Sequence, residues 1–216
     1  MQIAFLLYPG FTPLDAMGPY QVLAAVPGAA PVFVAEAAGP VLSDSGCSVV
    51  ASLSLADVTR PDIVVVPGSL ASFTAMMRHA PVLDWLRETS VHATSMTSVC
   101  TGSLLLGAAG LLSGRRATTH WAARSLLADL GVTVVPDRVV DDGPVITAAG
   151  VSAGIDMALH LVQRLHGRDL ASAVQLAIEY DPAPPLDGGS AEKASPATTR
   201  TVLAGLAAAG ADWVRG

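Results

Sequence analysis

One turn constrains this chain more than any other stretch. A run of β-branched and apolar residues ends at Val99, Cys100 follows, and Thr101-Gly102-Ser103 leads into the helix-forming run Leu104-Leu105-Leu106-Gly107-Ala108-Ala109. The pattern predicts a strand, a tight turn and a helix, with the cysteine at the corner. Gly102, just past the corner, is small enough to let helix and strand approach closely. A side chain at such a corner stands above the sheet, and the first N–H groups of the helix point into the same space. Those groups and the helix dipole favour an anion. Cys100 is therefore expected to have a pKa below the free value of ~8.5 and to react as a thiolate. A cysteine in an apolar run is also commonly a small buried hydrophobe, and the corner alone leaves both readings open.

The rest of the chain supplies a sheet for that corner. Residues 3–7 form a short apolar run of the kind found in a central parallel strand. Residues 8–13 are a loop and 14–25 a helix, with Leu14, Met17, Val22 and Leu23 as its expected apolar positions. A strand at 31–37, a hairpin-like excursion at 41–54 turning on Ser43-Asp44-Ser45-Gly46, and a buried strand at 62–66 running into Pro67-Gly68-Ser69 follow. Residues 72–77 and 81–88 are expected to be helical, with Trp85 and Leu86 facing in. Beyond the elbow come a helix at 121–130 closed by Gly131, short strands at 132–136, 138–141 and 145–148, and a helix at 153–165 capped by Ser152. A helix at 168–179, a proline-stiffened linker at 181–190 and an Ala/Leu-rich helix from 194 to a frayed end complete the pattern.

At 216 residues, 51% hydrophobic and 14% charged, the chain fits one large α/β domain with a core that needs no disulfide. Residues 1–185 are expected to hold that domain and 186–216 a linker and helix packed on it or extending it. A net charge of −6 gives no electrostatic reason for nucleic-acid binding. The first residues carry no basic region and break at Pro9-Gly10, and no apolar run reaches the ~20 residues that span a bilayer. Two distant cysteines suit a reducing cytosol, so a cytoplasmic protein without membrane partners is expected. His160 and His166 lie on different helix faces, no metal-ligand spacing is present, and no Gly-x-Gly-x-x-Gly follows a strand. Neither metal nor cofactor is expected. Cys47, after the hairpin turn with no activating neighbour, reads as structural.

The stretch Ser98-Val99-Cys100-Thr101-Gly102 through Arg115-Arg116-Ala117-Thr118-Thr119-His120-Trp121 resembles the elbow segment of the ThiJ/PfpI superfamily, which has the class I glutamine amidotransferase-like fold. Within it the segment is most similar to isocyanide hydratases, with the sensor domains of AraC-type regulators as near relatives. The resemblance runs from Ile3 to about Pro185. It implies a single-domain, open, mostly parallel, flavodoxin-like sheet with helices on both faces and the elbow at Cys100. It also implies that Asp15, in Leu14-Asp15-Ala16-Met17-Gly18-Pro19, faces the cysteine; by position alone Asp15 is a helix N-terminal carboxylate favoured by the dipole. The family usually has a glycine where this chain has Ser69, and the N–H at that position commonly helps to form an anion site. The family pairs, which together with the apolar composition implies a homodimer.

Departures narrow the activity. PfpI-type peptidases place a histidine directly after the cysteine, where this chain has Thr101. Glyoxalase- and deglycase-like members generally carry Glu where it has Asp15. The regulators continue into a helix-turn-helix module, and this chain ends at Gly216 without a basic recognition helix, which favours an enzyme. The expected site is Cys100 as nucleophile, Asp15 as acid/base and Thr101 beside them. Gly68, Ser69, Gly150 and Val151 line it with backbone, and His120 and Trp121 stand near it, His120 being equally readable as a hydrogen-bonded turn residue. The implied reaction is hydration of a small-molecule isocyanide to a formamide through a thioimidate on Cys100. The alternatives are a ligand- or redox-sensing domain and a glyoxalase- or deglycase-like stress protein.

Overall fold

Parallel strands need long crossovers, and most of those in this chain carry a helix over one of two sheet faces. The computed structural model describes residues 1–210. In chain order its first half runs β1 (Gln2–Leu6), α1 (Pro13–Leu23), β2 (Ala30–Ala35), β3 (Gly39–Leu42), β4 (Ser48–Ala51), β5 (Leu53–Ser54), β6 (Ile63–Val66), α2 (Phe73–Met76), α3 (Ala80–Ser90) and β7 (Ser95–Val99). Then come α4 (Gly102–Ala108), β8 (Arg116–Ala117), α5 (Arg124–Ala128), β9 (Thr133–Val134), β10 (Val139–Asp142), β11 (Val145–Ala148), α6 (Ala153–His166), α7 (Arg168–Ala177) and α8 (Pro196–Ala208), with single 3-10 turns at Leu55–Asp57 and Trp121–Ala123.

The main sheet has the order β10-β11-β7-β6-β1-β2-β5, and its neighbours are parallel except β10 and β11. Its centre shows why the sequence has apolar runs rather than alternation there. Ile63, Val64, Val65 and Val66 are all 0% exposed, because both faces of β6 are covered. Helices α1, α6 and α7 pack together, and α2, α3 and α5 gather on α4, which gives one helical layer per face. The register sets Val66 beside Ser98 and Val99 beside Ala148. The loops after β1, β6, β7 and β11 therefore open on one carboxyl edge, where open α/β sheets bind ligands.

Two local expectations are corrected. Pro13 starts α1, and the helical period then turns Asp15, Ala16, Pro19, Val22 and Leu23 inward, leaving Leu14 exposed and Met17 half-buried. Ser152 does not cap α6: it is already helical in φ and ψ, so its hydroxyl cannot reach back, and it accepts from Arg138 Nη2 at 3.1 Å instead. Strand β9 stands outside the main sheet and pairs with β8. The hairpin β3–β4 folds onto the loop after β1, with the Gly10 N–H on the Leu42 carbonyl at 2.8 Å and the Asp44 N–H on the Phe11 carbonyl at 3.1 Å. The C-terminal segment docks through Leu203, Leu206 and an Arg124–Glu192 pair at 3.0 Å. The expected frayed end falls at 211–216, outside the described residues. Among the described residues no helix is long and apolar enough to cross a membrane.

Candidate active site

Cys100 sits between β7 and α4 with φ at +57°, in the left-handed region. For a residue with a Cβ this costs ~1–2 kcal/mol, so its neighbours must hold it there. The Cys100 N–H is shared between the Ala148 and Ala149 carbonyls at 3.1 and 3.0 Å. Its carbonyl accepts the Thr119 hydroxyl at 2.9 Å and the Ser103 hydroxyl at 3.2 Å. A Cβ on Gly102 would stand 2.2 Å from the Val66 carbonyl oxygen, so only glycine lets α4 start this close to the end of β6.

Asp15 faces this corner from the first turn of α1 and is 0% exposed. Its Oδ2 accepts the Gly68 N–H at 2.8 Å. Its Oδ1 makes no hydrogen bond of ordinary geometry, although the Cys100 side chain is close enough to act on the carboxyl. A Cβ on Gly68 would lie 2.6 Å from Thr101 N and 2.9 Å from Asp15 Oδ2. Burial pushes the Asp15 pKa up to about 8, against the pull of the Gly68 N–H and the Cys100 side chain, and the charge of Asp44 adds to the rise. Asp44, exposed in the β3–β4 turn, accepts the Thr12 hydroxyl at 2.5 Å.

Burial also pushes the Cys100 thiol up, and a negative charge on Asp15 pushes it further; the Thr101 and Val151 N–H groups and the Thr101 side chain pull it down. The expected depression is thus reversed. Helix α4 has only 7 residues and starts two positions after a thiol that is 3% exposed, so desolvation outweighs the helix end. At neutral pH the thiol is protonated and the carboxyl predominantly so.

Thr101 and Ser69 are locked to each other. The Ser69 N–H donates to Thr101 Oγ1 at 2.9 Å, and the Thr101 hydroxyl donates to the Ser69 carbonyl at 3.0 Å. The Ser69 N–H therefore does not point into an anion site, and Gly68 spends its own N–H on Asp15. Ser69 needs no positive φ and pairs with Phe11 across an isolated bridge, which is how serine fits this position. The N–H groups that reach the thiol are those of Thr101 and Val151.

His120 lies behind Gly150, where a Cβ would come within 2.5 Å of His120 Cδ2. Its Nδ1 accepts the Ala122 N–H at 3.3 Å, capping the 3-10 turn, with the Trp121 ring 5.5 Å away. Burial, with the Arg124 charge, pushes the His120 pKa down to about 4, so the ring is neutral at pH 7. The structure thus gathers Cys100, Asp15, Thr101, Gly68, Ser69 and Val151, and it sets His120 one layer back against Gly150, with Trp121 beside the His120 ring. Sequence reasoning missed Tyr8, whose buried phenol donates to the Pro67 carbonyl at 2.8 Å and holds the loop after β6. It also missed Asp44 and Thr119. Thr119 stands in the Thr-Thr-His-Trp motif, where the histidine is the more conspicuous residue.

A cysteine at a left-handed strand-to-helix corner, facing a buried acid on the carboxyl edge of a mostly parallel sheet, defines an α/β protein of the elbow type. The chain belongs to the DJ-1/PfpI family, whose profile matches residues 1–164. It is 47% identical over 194 residues to the isonitrile hydratase of Pseudomonas putida, covering 90% of this chain and 85% of that protein. The crystal structure of a ThiJ/PfpI family protein from Pseudomonas syringae aligns with a TM-score of 0.90 at 40% identity, covering 96% of this chain and 86% of that one. The HTH-type transcriptional regulator CdhR of Pseudomonas aeruginosa is 37% identical over 139 residues, which are 63% of this chain and 40% of the regulator.

Proposed function

We propose that this protein hydrates an organic isocyanide to the N-substituted formamide through a thioimidate on Cys100. The similarity to an isonitrile hydratase supports the reading, and one observation carries it: the Asp15 carboxyl is fully buried, faces the thiol with an Oδ1 that makes no hydrogen bond of ordinary geometry, and keeps its proton up to about pH 8.

The isocyanide carbon has no leaving group and must gain a proton as sulfur adds to it. The Asp15 carboxyl gives its proton to that carbon while the Cys100 sulfur bonds to it, and the thiol proton passes to the carboxylate left behind. Water then adds to the thioimidate carbon. Asp15 protonates the nitrogen and takes a proton from the water. Collapse breaks the C–S bond, the hydroxyl proton returns through Asp15 to sulfur, and the formamide leaves. Each step begins and ends with Asp15 protonated, as its raised pKa requires. The Thr101 and Val151 N–H groups stabilise charge on sulfur as it adds and departs.

The experiment is incubation with an alkyl and an aryl isocyanide, with the formamide followed by NMR. Catalytic formation of the formamide supports the reading, and its absence with both substrates overturns it. The regulator similarity favours a second reading, a ligand-sensing domain, which expects isocyanide-independent binding and no turnover.

A further inference from the structure

We propose that Thr119 is a positioning residue for Cys100, its hydroxyl holding the elbow in the left-handed conformation from outside the elbow itself. The inference rests on Cys100 being the reactive thiol of the proposed function. It does not rest on the substrate being an isocyanide.

Two hydroxyls donate to the Cys100 carbonyl, and they are not equivalent. Ser103, at 3.2 Å, is in the first turn of α4 and rides with that helix if the corner relaxes. Thr119, at 2.9 Å, reaches in from the segment after β8. That segment is anchored elsewhere. The Thr118 N–H donates to Thr147 Oγ1 of β11 at 2.9 Å, the Arg116 N–H to Asp142 Oδ2 at 2.9 Å, and the Val135 N–H to the Ala117 carbonyl at 3.0 Å. Thr119 is itself 0% exposed. The Cys100 N–H is already pinned to the turn after β11 by the Ala148 and Ala149 carbonyls. With Thr119 on the carbonyl, both ends of the residue are tied to structure outside α4.

The peptide that Thr119 holds also carries the Thr101 N–H, one of the groups that act on the Cys100 sulfur. Rotating that peptide to relieve the φ of +57° would swing this N–H off the thiol and move the sulfur relative to Asp15. Thr119 therefore sets both the direction of the sulfur and one donor that stabilises its anion.

The test is alkylation by iodoacetamide, followed at Cys100 by peptide mass spectrometry from pH 7 to 11.5 to span the raised thiol titration, for wild type, Thr119→Val, Thr119→Ser and Ser103→Ala. Thr119→Val is expected to slow alkylation at pH 7 by about tenfold and to move its pH midpoint upward, because a donor to the thiolate is lost. Thr119→Ser, which keeps the hydroxyl, is expected to restore both. Ser103→Ala is expected to change the rate less than threefold. Thr119→Ala stands in should the valine fail to fold. A folded Thr119→Val or Thr119→Ala with wild-type rate and midpoint overturns the proposal. So does failure of both to fold beside a folded Thr119→Ser, which would make Thr119 a residue of the fold and not of the elbow. Iodoacetamide reports on the thiol without isocyanide, so a wild type that alkylates at Cys100 yet makes no formamide refutes the hydratase reading and leaves this test intact.

Discussion

The Gly68 N–H donates to Asp15 Oδ2 at 2.8 Å across 53 residues of sequence, and a Cβ on Gly68 would press within 2.9 Å of that same oxygen. This contact aims the carboxyl at the elbow and leaves Oδ1 buried, with no hydrogen bond of ordinary geometry and the Cys100 side chain near the carboxyl. A carboxyl kept there is costly to ionise, and that cost is what turns it into a proton donor.

Asp15→Asn should separate thiol chemistry from proton transfer. The amide keeps the shape and the acceptor for Gly68 and removes the carboxyl's charge, which pushes the thiol up, so iodoacetamide alkylation of Cys100 is no slower than in wild type. Formamide production falls about 100-fold or more, the scale of a lost general acid. The variant should also be more stable than wild type, and increasingly so as pH rises. The folded pKa of about 8 lies above the unfolded value of 3.8, so the contribution of Asp15 to wild-type stability is fully present below pH 4, declines between pH 4 and 8, and is flat above. The gain in the variant at pH 7 should be about 2–4 kcal/mol, read from denaturant unfolding at pH 4.5 and 7. Equal stabilities at both pH values would contradict the raised pKa.

Asp44→Asn should lower the Asp15 pKa, because the Asp44 charge is one of the causes that raise it. Activity that needs protonated Asp15 is lost as pH rises through about 8, and in the variant this alkaline limb should move to lower pH by a fraction of a unit. Asp44 is exposed, so salt should shrink the difference between the two profiles. A limb that does not move at low ionic strength would remove Asp44 from the account.

Gly102→Ala and Gly68→Ala should fail differently. The first sets a Cβ against the Val66 backbone at 2.2 Å, and neither β6 nor α4 can yield, so a loss of about 3 kcal/mol or more is expected in thermal or denaturant unfolding. The second pushes on Thr101 and Asp15, and its larger effect should be a fall in turnover of about 100-fold in protein that still folds. Comparable stability of Gly102→Ala and wild type would show that the corner is looser than described.

The apolar runs at 3–7 and 62–66 and the break at Cys100 made the parallel sheet and its elbow legible, because burial on both faces suppresses alternation. Asp15 was placed at the site through its motif, but its complete burial was not legible: the reading had Leu14 inward, and Pro13 sets the helix phase the other way. The raised thiol pKa escaped for a similar reason, since a helix start is written in sequence and desolvation is not. The Ser69–Thr101 lock, the Tyr8–Pro67 bond and the Thr119–Cys100 bond join segments far apart in the chain, and no local pattern marks a hydroxyl that serves a distant carbonyl.

Cys100→Ser, with Cys47→Ser as control, tests most directly whether Cys100 is the nucleophile of an isocyanide hydration. Cys47 is exposed and, among the described residues, bonded to Ser43 of its own turn, its Sγ 3.2 Å from Ser43 Oγ, so its loss should leave formamide production within twofold of wild type. Cys100→Ser should fold normally and produce formamide at no more than about 1% of the wild-type rate, because a hydroxyl is far less acidic and less nucleophilic than a thiol. Formamide production by Cys100→Ser within a few fold of wild type would contradict the account.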